Sequence, residues 1–79
     1  MSEKQIYNDR YRELVEHLRG RRLDLGLTQA QAAHAIGVNR TWISKVENCE
    51  LSLDLLGLVR FCRAYRLRIR DVIALIEDR

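Results

Sequence analysis

Apolar residues recur along this chain at spacings of three and four, the period at which side chains share one face of an α-helix. Five such segments can be separated, and none of the chain alternates with the two-residue period of a strand. The stripes of the first, fourth and fifth segments are Tyr11, Leu14, Val15, Leu18 and Leu25; then Leu55, Leu58, Val59, Cys62 and Tyr65; then Ile69, Val72, Ile73 and Ile76. The pattern predicts a compact all-α protein of five helices.

Polar residues that cap helix N-termini, and glycines that end helices, set the expected boundaries. The first helix is expected to begin at Asn8 or Asp9 and to stop at Gly26. Thr28, with Gln31 three residues later, has the spacing of a capping box. The remaining expected helices run from Thr28 to Ile36 with a stop at Gly37, from Asn39 to about Asn48, from Asp54 to about Tyr65, and over Ile69–Glu77.

The composition fits a single small domain. The chain has 79 residues, 47% hydrophobic and 32% charged, with no proline. We expect residues 1–79 to form one domain, because no linker or low-complexity tract divides them. No apolar run is long enough to span a membrane and no signal peptide is recognisable, so we expect a cytoplasmic protein without a membrane partner.

The net charge of +3 hides two basic segments. Residues 19–45 hold five basic residues and one acidic residue, and residues 60–70 hold five arginines and no acid. Such segments are a weak indication of a polyanionic partner, and solvated helix faces explain them equally well. The role of the second segment, Arg60 to Arg70, stays open.

The two cysteines and two histidines indicate neither a metal site nor a disulfide framework. Cys49 and Cys62 lack the spacing of paired thiolate ligands, and His17 and His34 add no ligand pattern. We expect free thiols, no metal and no cofactor. No nucleophile–base pair is present either, so an enzyme is the weakest hypothesis.

Residues 29–48, QAQAAHAIGVNRTWISKVEN, carry the most information about function. Two short predicted helices are separated by Gly37, Val38 and Asn39. Ala33 falls where the helices back closely against each other, and Gly37 permits a positive φ in the turn. This arrangement is a helix-turn-helix, whose second helix enters the DNA major groove.

The chain resembles the Cro/CI-type (XRE-type) helix-turn-helix family from about Leu14 to Ile76. The matching residues are the GLTQ entry at positions 26–29, the IG turn at 36–37, the ISKVEN exit at 43–48, RAY at 63–65 and Arg70 with Asp71. The resemblance implies a compact five-helix, lambda-repressor-like domain. It also implies a sequence-specific regulator that binds double-stranded DNA.

The resemblance also implies roles for individual residues. Gln29 takes the position of one phosphate contact, and Asn48 with nearby backbone N–H groups takes that of a second phosphate clamp. Arg22 and Glu47 take the positions of a structural salt bridge. Arg40 is suited to guanine, Asn39 to adenine and the Thr41 methyl to thymine. The implied DNA-binding residues are Gln29, Asn39, Arg40, Thr41, Trp42, Ser44, Lys45 and Asn48.

Each role has a plainer alternative. Arg40 and Lys45 can be ordinary solvated cations, and Gln29 a good helix former. Trp42 can belong to the core, but Ile43 and Val46 already define the inward face of the third helix. We therefore expect an exposed Trp42, with its indole N–H free to donate to a phosphate.

Three positions depart from the family pattern, and one of them, Arg68, replaces the expected serine, threonine or aspartate cap of the fifth helix. Cys49 and Arg66 stand where the family usually has glycine. A side chain in the left-handed region costs roughly 1 kcal/mol, so these turns are expected to differ from the family's.

The fifth helix carries more apolar residues than one inward face needs. We expect a homodimer through the C-terminal surface, with two recognition helices about one DNA turn apart. Its predicted interface residues are Leu67, Ile69, Val72, Ile73, Leu75 and Ile76. A larger monomer core is the alternative use of these residues.

The function we predict is a dimeric repressor or autoregulator at a short two-fold operator. The alternative is a protein-interaction module that keeps the helix-turn-helix fold, such as an antitoxin-like protein with a protein partner. The operator, the regulated gene and the sign of regulation are not readable from the residues.

Overall fold

The computed structural model describes residues 9–77, and they form five α-helices. In chain order these are α1 Asp9–Asp24, α2 Gln29–Ile36, α3 Arg40–Glu47, α4 Leu55–Tyr65 and α5 Ile69–Glu77. The predicted all-α architecture is confirmed, and each helix lies within a few residues of its expected position. Asn8, the other candidate cap of the first helix, lies outside the described residues.

Side-chain caps begin the three central helices. The Thr28 hydroxyl accepts from the Gln31 N–H at 3.0 Å, and the Gln31 side chain accepts from the Thr28 N–H at 2.9 Å, completing the capping box. Asp54 accepts from the Gly57 N–H at 2.7 Å at the start of α4. Each cap satisfies an N–H that the first turn of a helix leaves without an internal partner.

The core lies where all five helices meet. Its largest fully buried side chains are Tyr65, Phe61, Leu18, Ile43, Val15, Val46 and Val72. At the rim, the Tyr11 hydroxyl donates to the Leu51 carbonyl and accepts from the Leu53 N–H, both at 3.0 Å. This bridge ties the segment between α3 and α4 to α1.

Two expectations about apolar positions were wrong. Leu25 belongs to the predicted stripe of the first helix, but α1 ends at Asp24 and Leu25 is 37% exposed. Val72, predicted as an interface residue, is completely buried in the single chain. The monomer core therefore uses the middle of the α5 stripe.

The two turns that lack the family's glycine keep the left-handed backbone nevertheless. Cys49 and Arg66 both have φ of 58°. The Arg66 N–H closes α4 by donating to the carbonyls of Arg63 and Cys62. The expectation that these turns differ from those of the family was therefore wrong. The packing of the helices imposes the left-handed conformation, and Cys49 and Arg66 adopt it at a cost in backbone strain.

Neither cysteine is in a disulfide: Cys49 is half-buried and Cys62 is buried. Burial raises the pKa of the Cys62 thiol. Within residues 9–77 no group of three histidine, cysteine, aspartate or glutamate side chains is placed to hold a metal ion. None of the helices in that range is long and apolar enough to cross a membrane.

Candidate nucleic-acid interface

The unit formed by α2, a three-residue turn and α3 is held by small and branched apolar residues. Ala32 and Ile43 are completely buried, and Ala33 is 4% exposed. The N–H groups of Gly37 and Val38 both donate to the Ala33 carbonyl, at 2.8 and 2.9 Å. With Gly37 at φ 88°, these bonds reverse the chain directly after α2 and fix where α3 begins.

The outward face of α3 is polar and basic. Arg40, Thr41 and Lys45 are exposed, and Ser44 is half-buried beside them. These four residues share one side of the helix because Ile43 and Val46 take the opposite, buried side. The predicted base-contacting side chains are therefore brought together on one accessible surface.

Asn39 has a structural task in addition to its predicted DNA contact. Its side-chain oxygen accepts from the Trp42 N–H at 2.8 Å and caps α3. A bidentate contact to adenine needs the same oxygen as well as the amide nitrogen. An amide oxygen has two lone pairs, so the cap orients the Asn39 side chain and leaves one lone pair and the Nδ2 group for the predicted contact.

Trp42 is half-buried, which corrects the expectation of an exposed ring. Its ring stacks on Phe61 with centroids 5.5 Å apart and planes 22° apart. Phe61 in turn meets Tyr65 edge-on at 5.4 Å. α4 thus supplies an aromatic surface beside α3, which the periodicity of α3 alone does not reveal.

Glu47 joins three helices through a buried ion pair. The Arg22 Nε and Nη2 atoms donate to its two carboxylate oxygens at 2.7 and 3.0 Å. The Gln29 Nε2 donates to Glu47 Oε1 at 3.0 Å, and Arg22 Nη1 donates to the Leu27 carbonyl at 2.7 Å. The Arg22 and Glu47 side chains are only 7% and 5% exposed.

Both carboxylate oxygens of Glu47 and the Nε, Nη1 and Nη2 groups of Arg22 have hydrogen-bond partners. The hydrogen bonds that Arg22 donates to Glu47 raise the pKa of Arg22 above its ordinary value, against the lowering effect of burial. The Arg22–Glu47 salt bridge implied by the family resemblance is present. Gln29 is braced by Glu47, so its position at the start of α2 is fixed.

Fewer groups than expected are available for the predicted second phosphate contact, at the end of α3. The N–H groups of Asn48, Cys49 and Glu50 donate to carbonyls of α3, namely those of Ser44, Val46 and Lys45. They are therefore not free to form a backbone clamp for a phosphate. Of the predicted clamp, the exposed Asn48 side chain remains.

The sequence reasoning missed two arginines that hold helix C-termini. Arg60 Nη2 donates to the carbonyls of Ile36 and Gly37 at 3.1 and 3.3 Å. Arg21 Nε donates to the Tyr65 carbonyl at 2.9 Å. All three bonds join residues more than 20 positions apart. The only sequence indication was the position of each arginine in a basic segment.

Two short helices, a three-residue turn and an exposed basic face on the second helix define a helix-turn-helix protein. A helix-turn-helix domain family matches residues 13–75. A solved structure of an XRE-family like protein from Pseudomonas syringae pv. tomato str. DC3000 is similar to the chain, with a TM-score of 0.84 at 32% identity. The similarity covers 95% of this chain and 92% of that one. No curated protein matches.

The chain belongs to the XRE-type helix-turn-helix family, as the resemblance implied. Its fold and family make it a protein of the DNA-binding regulator kind, which is typically non-enzymatic. In such a protein α3 is the recognition helix, and that name is used for it below.

Proposed function

We propose that this protein is a sequence-specific regulator that binds double-stranded DNA as a homodimer and acts as a repressor or autoregulator at a short two-fold operator. The proposal rests on one observation, the accessible polar face of the firmly held recognition helix. Its face of Arg40, Thr41, Ser44 and Lys45 is accessible. Its C-terminal end is fixed by the buried Glu47 pair. A rigid helix with an exposed polar face is what major-groove recognition requires.

Base contacts are assigned to the first turn of the recognition helix. The guanidinium group of Arg40 has the donor geometry to bind the two acceptors of guanine, and the Thr41 methyl is suited to contact a thymine methyl. Lys45 lies one turn further along and reaches a base or a phosphate. Asn39 contributes a donor from its amide nitrogen, while its oxygen caps the helix and keeps one lone pair for a second bond.

Phosphate contacts are assigned to the flanks of the same unit. Gln29 begins α2, where the positive end of the helix dipole favours an anion. Asn48 lies at the other end of the unit with an exposed side chain. Trp42 is half-buried, and its indole N–H is assigned to a phosphate of the DNA backbone. Such contacts position the protein without reading sequence.

The proposed dimer surface lies on α5 and is narrower than the sequence suggested. Ile73 and Leu75 are 36% and 47% exposed. Leu67, Ile69 and Ile76 are half-buried and form the edge of the surface. Val72 belongs to the monomer core and contributes only by supporting its neighbours.

The decisive measurement is binding to a DNA duplex enriched by the wild-type chain from a random library, compared with a shuffled duplex of equal length. We expect Arg40→Ala to lower the preference for the enriched duplex by about 1–3 kcal/mol, because base contacts carry specificity. Gln29→Ala is expected to weaken binding to both duplexes alike. Arg12→Ala removes the same charge as Arg40→Ala from an exposed position on α1 and serves as the control.

Selective binding that Arg40→Ala leaves unchanged would contradict the base contact. If the wild-type chain enriches no duplex, DNA recognition itself is wrong. In that case the alternative function, a protein-interaction module with a protein partner, is favoured by a separate observation. Leu55 and Leu56, at the start of α4, are 66% and 73% exposed, more than any other large apolar side chain described.

A further inference from the structure

The side chain of Arg60 reaches from α4 to the turn between α2 and the recognition helix. One guanidinium nitrogen, Nη2, donates to the Ile36 carbonyl at 3.1 Å and to the Gly37 carbonyl at 3.3 Å. A Cβ built on Gly37 would lie 3.3 Å from that same nitrogen. The turn and the guanidinium are therefore packed directly against each other.

These two carbonyls need a partner from outside α2. The last carbonyls of a helix have no internal donor, and they form the negative end of the helix dipole. The N–H groups of Gly37 and Val38 return to Ala33 and leave the next carbonyls along the chain available. A cation at this point both satisfies the carbonyls and complements the dipole.

The next residue of α4 holds the other side of the turn. Phe61 stacks on Trp42, which lies in the first turn of the recognition helix. Arg60 and Phe61 thus hold the chain just before and just after the start of that helix. Between the two contacts lie Asn39, Arg40 and Thr41, the residues assigned to base contacts.

We propose that Arg60 is a positioning residue for DNA recognition, acting through the turn carbonyls of Ile36 and Gly37 rather than by touching DNA. This inference rests on the proposed function. A change in the turn is carried directly to the Arg40 side chain, since only Val38 and Asn39 separate Arg40 from Gly37. Specific contacts depend on sub-ångström placement, whereas non-specific phosphate attraction does not. The inference also assigns a role to the first residue of the basic segment Arg60 to Arg70.

Arg60→Ala is the test, with Arg63→Ala as the matched control. Arg63 lines the same shallow groove between α2 and α4 and is exposed. Affinities for the enriched and the shuffled duplex are measured at several salt concentrations, below the melting temperature of each variant. Emission of Trp42, the single tryptophan, is recorded in the same samples.

For Arg60→Ala we expect the ratio of specific to non-specific affinity to fall about 3- to 10-fold, the loss expected for about one ordinary hydrogen bond, because these bonds lie at the surface. The salt dependence of binding should stay unchanged and the Trp42 emission should move to longer wavelength. Arg63→Ala should change neither the ratio nor the emission.

Three results would overturn the inference. If the affinity ratio is unchanged, Arg60 only stabilises the fold. If the salt slope falls by about one, Arg60 contacts a phosphate directly. If the wild-type chain shows no preference for any duplex, the proposed function fails and the inference fails with it; a wild-type preference that Arg60→Ala leaves unchanged overturns the inference alone.

Discussion

Glu47 shows how one side chain fixes the geometry of a DNA-binding unit. Its carboxylate receives Arg22 from α1 and Gln29 from α2 while it ends the recognition helix. A buried ion pair adds little net stability, because desolvation opposes the attraction between the charges. The pair instead fixes the orientation of the helices, since both Glu47 carboxylate oxygens have hydrogen-bond partners only when the three helices keep their relative positions.

Tyr65 gives the fold a measurable pH dependence. The residue is completely buried, and among the described residues its hydroxyl has no hydrogen-bond partner. Burial, followed by the nearby charge of Glu47, raises its pKa from 10.0 to about 12. The folded state holds the Tyr65 hydroxyl proton more tightly than the unfolded state does. The contribution of this proton to the free energy of unfolding is therefore complete below about pH 10 and is lost as the pH rises towards about 12.

Between those pH values the wild type should lose roughly 2 kcal/mol of unfolding free energy as Tyr65 ionises, and Tyr65→Phe should not show this loss. At neutral pH the variant should be as stable as the wild type or slightly more so, because the buried hydroxyl is gone. Urea unfolding at a series of pH values measures both effects. An equal alkaline loss in both proteins would show that Tyr65 is not its source.

Arg66 carries strain that a single substitution can release. Its φ of 58° is a region that glycine enters without cost. We expect Arg66→Gly to raise the free energy of unfolding by about 0.5–1 kcal/mol, after allowance for the greater freedom of glycine in the unfolded chain.

The control for Arg66→Gly is Arg63→Gly, inside α4, which should lower the free energy of unfolding by about 1 kcal/mol. Denaturant titration distinguishes the opposite signs. Destabilisation by both substitutions would mean that the Arg66 side chain contributes more than its backbone costs.

The recognition helix is too short to be stable by itself. It spans eight residues, fewer than an isolated helix needs in water. Its order comes from the Asn39 cap at one end, the Glu47 pair at the other, and the burial of Ile43 and Val46 between them. The helix that is proposed to read DNA is therefore shaped by contacts with its neighbours.

Two substitutions separate the capping and binding tasks of Asn39. Asn39→Ser keeps a capping oxygen but removes the amide nitrogen, so stability should be nearly unchanged while affinity for the enriched duplex falls. Asn39→Ala removes the cap and should cost about 1 kcal/mol of unfolding free energy. Thermal unfolding and DNA titration check the two effects. Unchanged affinity in Asn39→Ser would leave Asn39 as a cap alone.

At the scale of the whole molecule, α5 is the surface that the proposed dimer uses. Leu75→Glu should raise the dimer dissociation constant about 10-fold or more, because a carboxylate would be buried at the contact. Leu75 is 47% exposed, so the monomer fold should tolerate the change. Sedimentation velocity over a concentration series measures the dissociation constant.

Leu23→Glu is the control for the dimer. Leu23 lies on α1 and is 52% exposed, so it introduces the same charge at a similarly exposed apolar position. It should leave the dissociation constant unchanged. A wild-type chain that sediments as a monomer at tens of micromolar, and remains single on DNA, would contradict the dimer.

Local signals in the sequence were sufficient for the helices and for the motif. Caps such as Thr28 and stops such as Gly37 act within about four residues, so their effect is readable without knowing the fold. The spacing of Ala33, Gly37 and Ile43 identified the helix-turn-helix unit for the same reason. The exposure of Arg40 and Lys45 followed from the opposite positions of Ile43 and Val46.

The sequence by itself determined where the helices lie, which face of the recognition helix is polar, and the family. Tertiary structure alone decided that Trp42 stacks on Phe61, that Val72 belongs to the monomer core, and that Arg60 holds the turn. The physical reason is distance along the chain. Helix periods and caps are set by neighbours a few residues apart, whereas Arg60 and Ile36 are 24 positions apart and meet only once the helices have packed.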